Sequence, residues 1–256
     1  MKIVELSYPL SSGMLKYPSD PEARIKINPS REEIKYVEIL DASGFGSGAA
    51  CGETKYKSGY GELGIRNHHG THVDAPFHKL KDGKRITDYP DEKFINTARL
   101  VDLTLTNLLQ RERREITTLD IEACVDHYDF RNLEEFTKGL SALVFYTGYC
   151  NELLKHNGGR EIEKRFPYFS EAAAKYIVGH AGNLNLIGID SFSIDPSGSN
   201  SEAHRAFFAK EILVLETLYN LKELRDKRAY GPFKLISVPI KILGGDAAPT
   251  AAYAEL

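Results

Sequence analysis

Four of the chain's eight histidines fall between His68 and His78, in the run Arg66-Asn67-His68-His69-Gly70-Thr71-His72-Val73-Asp74-Ala75-Pro76-Phe77-His78, and this segment restricts the fold more than any other. His68, His72, Asp74 and His78 are all even-numbered, so on an extended chain their side chains share one face. A straight strand would spread them over about 33 Å. The chain must therefore bend for them to meet. Gly70 and Pro76 stand where bends would bring the groups together, because glycine reaches positive φ and proline interrupts strand pairing. A helix is the competing reading, since His68 and His72 are spaced i, i+4 as in the H-E-x-x-H zinc helix. Gly70, β-branched Thr71 and Val73, and Pro76 all oppose it.

Imidazoles and a carboxylate at these spacings form a donor set of borderline softness, which suits zinc, with manganese or iron(II) as alternatives. The bland reading makes these histidines solvated or structural, and it leaves Asp74 unexplained amid four imidazoles. His69 points away from its neighbours on an extended chain, which suits packing or support of a ligand rather than metal contact. His127, His156 and His180 have no partners by spacing. Cys51, Cys124 and Cys150 are far apart and lack C-x-x-C spacing, so neither a disulfide framework nor a thiolate zinc site is expected, and Cys124 and Cys150 read as reduced and buried.

The rest of the chain supplies an α/β or α+β frame with a mixed sheet. Ile3-Val4-Glu5-Leu6, residues 98–103, 141–146, 186–190 and 212–216, and a final run at 233–240 read as strands; residues 118–127, 170–179 and 201–209 read as helices. Pro18 and Pro21 exclude a helix near Tyr17. Seven glycines between Gly44 and Gly64, mixed with Ser, Thr and Tyr, favour a mobile loop or irregular hairpin placed to act as a lid. No phosphate-cradling G-x-x-x-x-G-K-[ST] pattern is present. The mixed-sign run Arg111-Glu112-Arg113-Arg114-Glu115 reads as a solvated face without a function.

A length of 256 residues suits one domain spanning 1–256, and 42% hydrophobic with 27% charged residues is the balance of a soluble globular protein. A net charge of −3 offers no footprint for nucleic acid, so a small-molecule partner fits better. Neither a signal-peptide stretch nor a run of about eighteen apolar residues is found, which leads to an expectation of a cytoplasmic protein without membrane contact.

His68 to His78 matches H-x-G-T-H-x-D-x-P-x-H at every fixed position, and the segment resembles the signature of the cyclase superfamily, which includes bacterial kynurenine formamidase and isatin hydrolase. Leu6-Ser7-Tyr8-Pro9-Leu10 with Tyr17-Pro18-Ser19-Asp20-Pro21 is similar to the family's opening. Tyr146-Thr147-Gly148-Tyr149 is similar to its central strand end, and Ile189 to Pro196 to its D-x-x-S-x-D-P stretch. His204 and Glu216 fall at the family's twelve-residue ligand spacing.

The resemblance implies a swivelling β/β/α fold and a metal-dependent hydrolase acting on an amide, formamide, lactam or ester. It implies that His68, His72 and Asp74 hold one divalent ion, zinc before manganese, and that Asp74 bridges to a second held by His204 and Glu216. His78 would transfer protons, a role suited to an imidazole titrating near neutrality. Tyr17 stands where the formamidases carry a substrate-contacting tryptophan, and this chain has no Trp at all. A homodimer or homotetramer is implied, with the segment near Tyr17 reaching a neighbour's pocket. Isatin-hydrolase-like lactam opening, a non-hydrolytic cyclase and a catalytically inactive binding protein of the same fold are the other readings.

Overall fold

The computed structural model describes residues 2–8, 24–27, 37–39, 55–56, 61–155, 165–228 and 231–256, with backbone alone at 24–27, 37–39, 55–56, 61–64, 154–155 and 228. Its centre is a nine-stranded mixed sheet. From one edge to the other the strands are Ile3–Glu5, Tyr253–Glu255, Phe233–Ile236, Ile95–Asp102, Ala142–Tyr146, Leu186–Ile189, Leu213–Glu216, His72–Asp74 and Ala247–Pro249. The four strands from Ile95–Asp102 to Leu213–Glu216 run parallel, and every pairing outside them is antiparallel. Parallel neighbours need both faces covered. Accordingly Ala142–Tyr146, Leu186–Ile189 and Leu213–Glu216 are buried at every residue.

Period-2 alternation divides the core between the two faces. Leu143, Phe145, Ile187, Ile189 and Val214 join one cluster, under the helices Thr118–His127, Glu171–His180 and Glu202–Phe208, together with Ile121, Ile177 and Phe207. Ala142, Val144, Leu213, Leu215 and Val73 join the other, with Val4, Leu235 and Ala254 from the antiparallel strands. Complete burial of Phe145, Phe169 and Phe207 stabilises the helical side by roughly 1.5–3 kcal/mol each. Because Val73 faces the second cluster, His72 and Asp74 on either side of it face the helices.

The helices begin as their sequences dictate. Thr117 and Asp120 form a reciprocal capping box, with the Asp120 carboxylate accepting from the Thr117 N–H at 2.8 Å. Ser170 accepts from the Ala173 N–H at 3.1 Å and caps Glu171–His180.

Three sequence expectations need correction. The run at 233–240 is not the final strand: it stops at Ile236, and Ala247–Pro249 and Tyr253–Glu255 follow. Pro239 has no N–H to continue the ladder and makes only a bridge to Thr250. Within the glycine-rich stretch, Lys55–Tyr56 and Gly61–Ile65 are strands of a second, four-stranded sheet with Arg24–Ile27 and Val37–Ile39. The remainder of 44–64 lies outside the described residues. The charge run is not wholly solvated either. Arg114 is buried, and its two terminal nitrogens donate to both oxygens of Glu152 at 2.8 and 2.9 Å. Among the described residues no helix is long and apolar enough to cross a membrane, and Cys124 and Cys150 are buried free thiols.

Candidate metal centre

The histidine segment bends where its sequence predicts. Gly70 takes φ +65°, a left-handed conformation that costs glycine little. The chain then forms the strand His72–Asp74 and, after Ala75, the 3-10 turn Pro76–His78, whose fixed proline φ opens the turn. His72 pairs with Glu216 on one side and Pro249 on the other, while Asp74 pairs with Val214 and Ala247. This register sets Glu216 on the same face as His72 and Asp74. His204 arrives from the helix Glu202–Phe208.

Four imidazole rings surround the Asp74 carboxylate. Oδ1 lies 3.0 Å from His68 Nδ1 and 3.2 Å from His72 Nε2; Oδ2 lies 3.4 Å from His204 Nε2 and 3.9 Å from His78 Nε2. Glu216 closes the far side, with Oε2 3.5 Å from His72 Nε2 and Oε1 3.4 Å from His204 Nε2. His68, Asp74 and His78, and again His72, Asp74 and Glu216, bring one donor atom each within 4.8 Å of one another. Asp74, His72, His204 and Glu216 are almost wholly buried, whereas His68 and His78 are 21% and 17% exposed and mark the open side.

The outward-facing nitrogens determine what the inward ones present. His72 Nδ1 donates to the Gly70 carbonyl at 2.8 Å, and His204 Nδ1 donates to Asp195 Oδ2 at 2.6 Å. A neutral imidazole carries one N–H, so in both rings Nε2 keeps a bare lone pair aimed at Asp74. Those two nitrogens and both Asp74 oxygens are buried without a hydrogen-bond partner. Acceptors facing acceptors at 3.2 to 3.5 Å repel unless a cation lies among them. Nitrogen and oxygen donors of this kind, with an open side, fit a divalent ion such as zinc or manganese.

Electrostatics lead to the same demand for positive charge. Burial opposes charge on His68 and His204, yet the carboxylates around them outweigh it and raise both to about 10; Asp74 and Asp246 act on His68, and Asp195, Asp74 and Glu216 on His204. His72 is raised well above its ordinary value by Asp74 and Glu216 against the same opposition. Burial alone would lift the carboxyls of Asp74 and Glu216, but the surrounding imidazoles hold both down. His78 goes the other way, to about 4, through burial and the neighbouring His68 charge. A dication supplies the same compensation without the protons.

Each described residue read as functional from the sequence, His68, His72, Asp74, His78, His204 and Glu216, is in this cluster. Tyr17 lies outside the described residues, as does His156. His69 is buried and accepts the Arg66 N–H at 3.2 Å on Nδ1, in keeping with a supporting role. His127 and His180 are exposed, and neither belongs to the groups of converging donors.

Two carboxylates escaped the sequence reading. Asp195 caps the Glu202–Phe208 helix through the N–H groups of Ala203 and His204, at 2.9 and 3.0 Å, while gripping His204 Nδ1. Its place in Ile189 to Pro196 was a signal, but no spacing linked it to His204. Asp246 Oδ2 lies 3.1 Å from His68 Nε2 and 2.9 Å from His78 Nδ1. Strand pairing brings Asp246 beside a segment so distant in sequence.

Known proteins share this arrangement of chain. Kynurenine formamidase of Bacillus cereus is 24% identical over 250 residues, covering 97% of this chain and 95% of that protein. Kynurenine formamidase of Bacillus anthracis is 24% identical over 252 residues, covering 98% and 96%. Isatin hydrolase A from Labrenzia aggregata, solved with benzyl benzoate, superposes with a TM-score of 0.71 at 18% identity, over 99% of this chain and 93% of that one. A further solved structure, described as a potential metal-dependent hydrolase with cyclase activity, has a TM-score of 0.65 at 22% identity, over 99% and 96%. The Cyclase family model matches residues 4–196, which span the histidine signature and the Ile189 to Pro196 stretch, and the chain therefore belongs to the Cyclase family.

Proposed function

We propose that the chain is a metal-dependent hydrolase that opens a C–N bond of a small amide, formamide or lactam, or an ester bond. The observation that carries this reading is the convergence of bare imidazole nitrogens on an unpartnered, buried Asp74 carboxylate, with two further imidazoles on the side open to solvent. The likeness to kynurenine formamidases over nearly the whole chain supports the amide class.

His68, His72 and Asp74 would hold one ion, zinc before manganese, and His204 and Glu216 would hold a second through the Asp74 bridge. A divalent cation there supplies polarisation of a carbonyl and a lowered pKa for water. His78 is the proton-transferring residue. Its Nδ1 is engaged by Asp246, which leaves Nε2 free to take a proton from the attacking water and return it to the leaving nitrogen. His78 also lies on the open side, where a substrate enters.

The remaining elements of the reading are one domain spanning 1–256, a homodimer or homotetramer in which Tyr17 contributes to substrate binding, and a cytoplasmic location. The free thiols of Cys124 and Cys150 support that location.

Metal analysis followed by a screen of formamides, cyclic imides, lactams and esters tests the proposal. His78→Ala should keep its metal and lose turnover by a factor of 100 or more, the scale of general acid–base catalysis. Unchanged turnover would remove His78 from the mechanism. Stoichiometric metal with no hydrolysis of any of these classes would favour a binding protein of the same fold.

A further inference from the structure

Asp246 is held more firmly than a chance neighbour of two imidazoles would be. It is 4% exposed, its Oδ1 accepts from Asn67 Nδ2 at 3.2 Å, and its backbone carbonyl accepts the Ala75 N–H at 2.9 Å. The next residue, Ala247, is the strand partner of Asp74. The residue is thus anchored on both sides of the ligand strand, before His68 by its side chain through Asn67 and after Asp74 by its backbone through Ala75.

We propose that Asp246 is a positioning residue that uses one carboxylate oxygen to set the tautomer and orientation of both His68 and His78. The inference rests on the metal-centre reading above. An ionised carboxylate only accepts hydrogen bonds. With Oδ2 at 3.1 Å from His68 Nε2 and 2.9 Å from His78 Nδ1, both of those nitrogens carry their hydrogen. In the neutral rings that a metal centre requires, the opposite nitrogens are then bare: His68 Nδ1, 3.0 Å from Asp74 Oδ1, and His78 Nε2, 3.9 Å from Asp74 Oδ2. One oxygen therefore prepares a metal donor and a proton acceptor together. It also fixes the spacing of the two rings, whose centroids lie 4.3 Å apart at 41°. His72 and His204 each have a separate acceptor, Gly70 and Asp195. The shared acceptor is peculiar to the pair on the open side.

Asp246→Asn keeps the shape but presents to the two rings either an amide N–H or a neutral amide oxygen, a weaker acceptor than the carboxylate. Chelator competition with Co2+ should show affinity falling 10- to 100-fold, the usual effect of removing a partner behind a metal-binding imidazole. In the metal-free protein, nitrogen-15 NMR of the histidine rings should show His78 moving from the Nδ1–H tautomer toward the Nε2–H tautomer. A merely structural role would leave that signature in place. Wild-type Co2+ affinity together with an unchanged His78 tautomer would overturn the proposal. A wild-type protein that binds no Co2+ would sink the metal-centre reading instead, while the metal-free tautomer still decides the role of Asp246. Should Asp246→Asn fail to fold, Asn67→Ala keeps the carboxylate and removes its Oδ1 partner. A several-fold loss of Co2+ affinity with a mixed His78 tautomer supports the proposal there, and wild-type values on both counts overturn it.

Discussion

Glu216 stands directly across the strand pairing from His72, with its Oε2 3.5 Å from the imidazole Nε2. Antiparallel pairing brings these two distant parts of the chain together. Side chains alternate along a strand, so a slip of one residue would offer Leu215 or Thr217 in place of the carboxylate. Apolar burial of Leu215 and Val73 on the opposite face locks the register that presents the donors. Glu216→Gln preserves volume and can still accept the Ile194 N–H, which the carboxylate now takes at 2.8 Å, but it removes the negative charge. Metal affinity measured by isothermal titration should fall at least tenfold, with circular dichroism unchanged. Wild-type affinity in this variant would take Glu216 out of the donor set.

Asp195 performs two tasks that substitution can separate. Asparagine offers one acceptor oxygen where the carboxylate offers two, so Asp195→Asn keeps one of the two backbone N–H bonds and should melt only a few degrees below the wild type. As a weaker acceptor for His204 Nδ1 it should nonetheless loosen the imidazole and lower metal affinity by a factor of ten or more. Asp195→Ala should lose both, adding roughly 1 kcal/mol of destabilisation from the missing cap. Equal metal affinity in the Asn variant and the wild type would show that Asp195 serves the helix alone.

Gly83 lies behind the turn that carries His78. A Cβ at this position would fall 2.5 Å from the Pro76 carbonyl carbon and 2.7 Å from the Phe77 nitrogen, both backbone atoms that cannot swing aside. Gly83→Ala should therefore displace Pro76–His78 and cost about 1–3 kcal/mol in urea unfolding. If His78 transfers protons, the displacement should also reduce kcat about tenfold or more while metal bound by His72, Asp74 and Glu216 is retained. Normal kcat in a destabilised protein would mean that the position of His78 does not matter to the reaction.

The donor set was legible because its chemistry is dense in the sequence: even-numbered spacing from His68 to His78 places the groups on one face, and Gly70 with Pro76 identifies the bends. The strands at 142–146, 186–189 and 213–216 were legible from their apolar runs, and the helix at 118–127 from its Thr-Leu-Asp-Ile-Glu start, although the cap itself is Thr117. Asp246 was not legible. It has no histidine or acidic neighbour in sequence, and tertiary contacts, among them the pairing of Ala247 with Asp74, bring it to the cluster. The strands Ala247–Pro249 and Tyr253–Glu255 were missed for a related reason, since their small residues owe their burial to tertiary packing rather than to intrinsic β preference. Arg114 was misread because a charge run looks solvated until a partner such as Glu152 appears from elsewhere in the chain.

Asp120 gives a pH test away from the cluster. Burial would raise its carboxyl, but Arg111, with Nη1 2.9 Å from Oδ2, and the hydrogen bonds from Thr117 hold it below the ordinary aspartate range. A group with a depressed folded-state pKa stabilises the fold above its unfolded value, about 3.9, and that contribution disappears as pH falls through the folded value. Asp120→Asn cannot titrate, and the capping box with its ion pair is weakened at every pH. Urea midpoints should therefore place the variant about 1–2 kcal/mol below the wild type at pH 7, the scale of a lost cap with a partly exposed ion pair. At pH 3 the gap should narrow, because the unfolded wild-type chain takes up a proton at Asp120 that the folded carboxylate resists, and the wild type loses part of its advantage. Any acid sensitivity of the imidazole cluster is common to both proteins and cancels in the difference. A gap that stays constant or widens between pH 7 and pH 3 would show that the Asp120 charge does not stabilise the helix start.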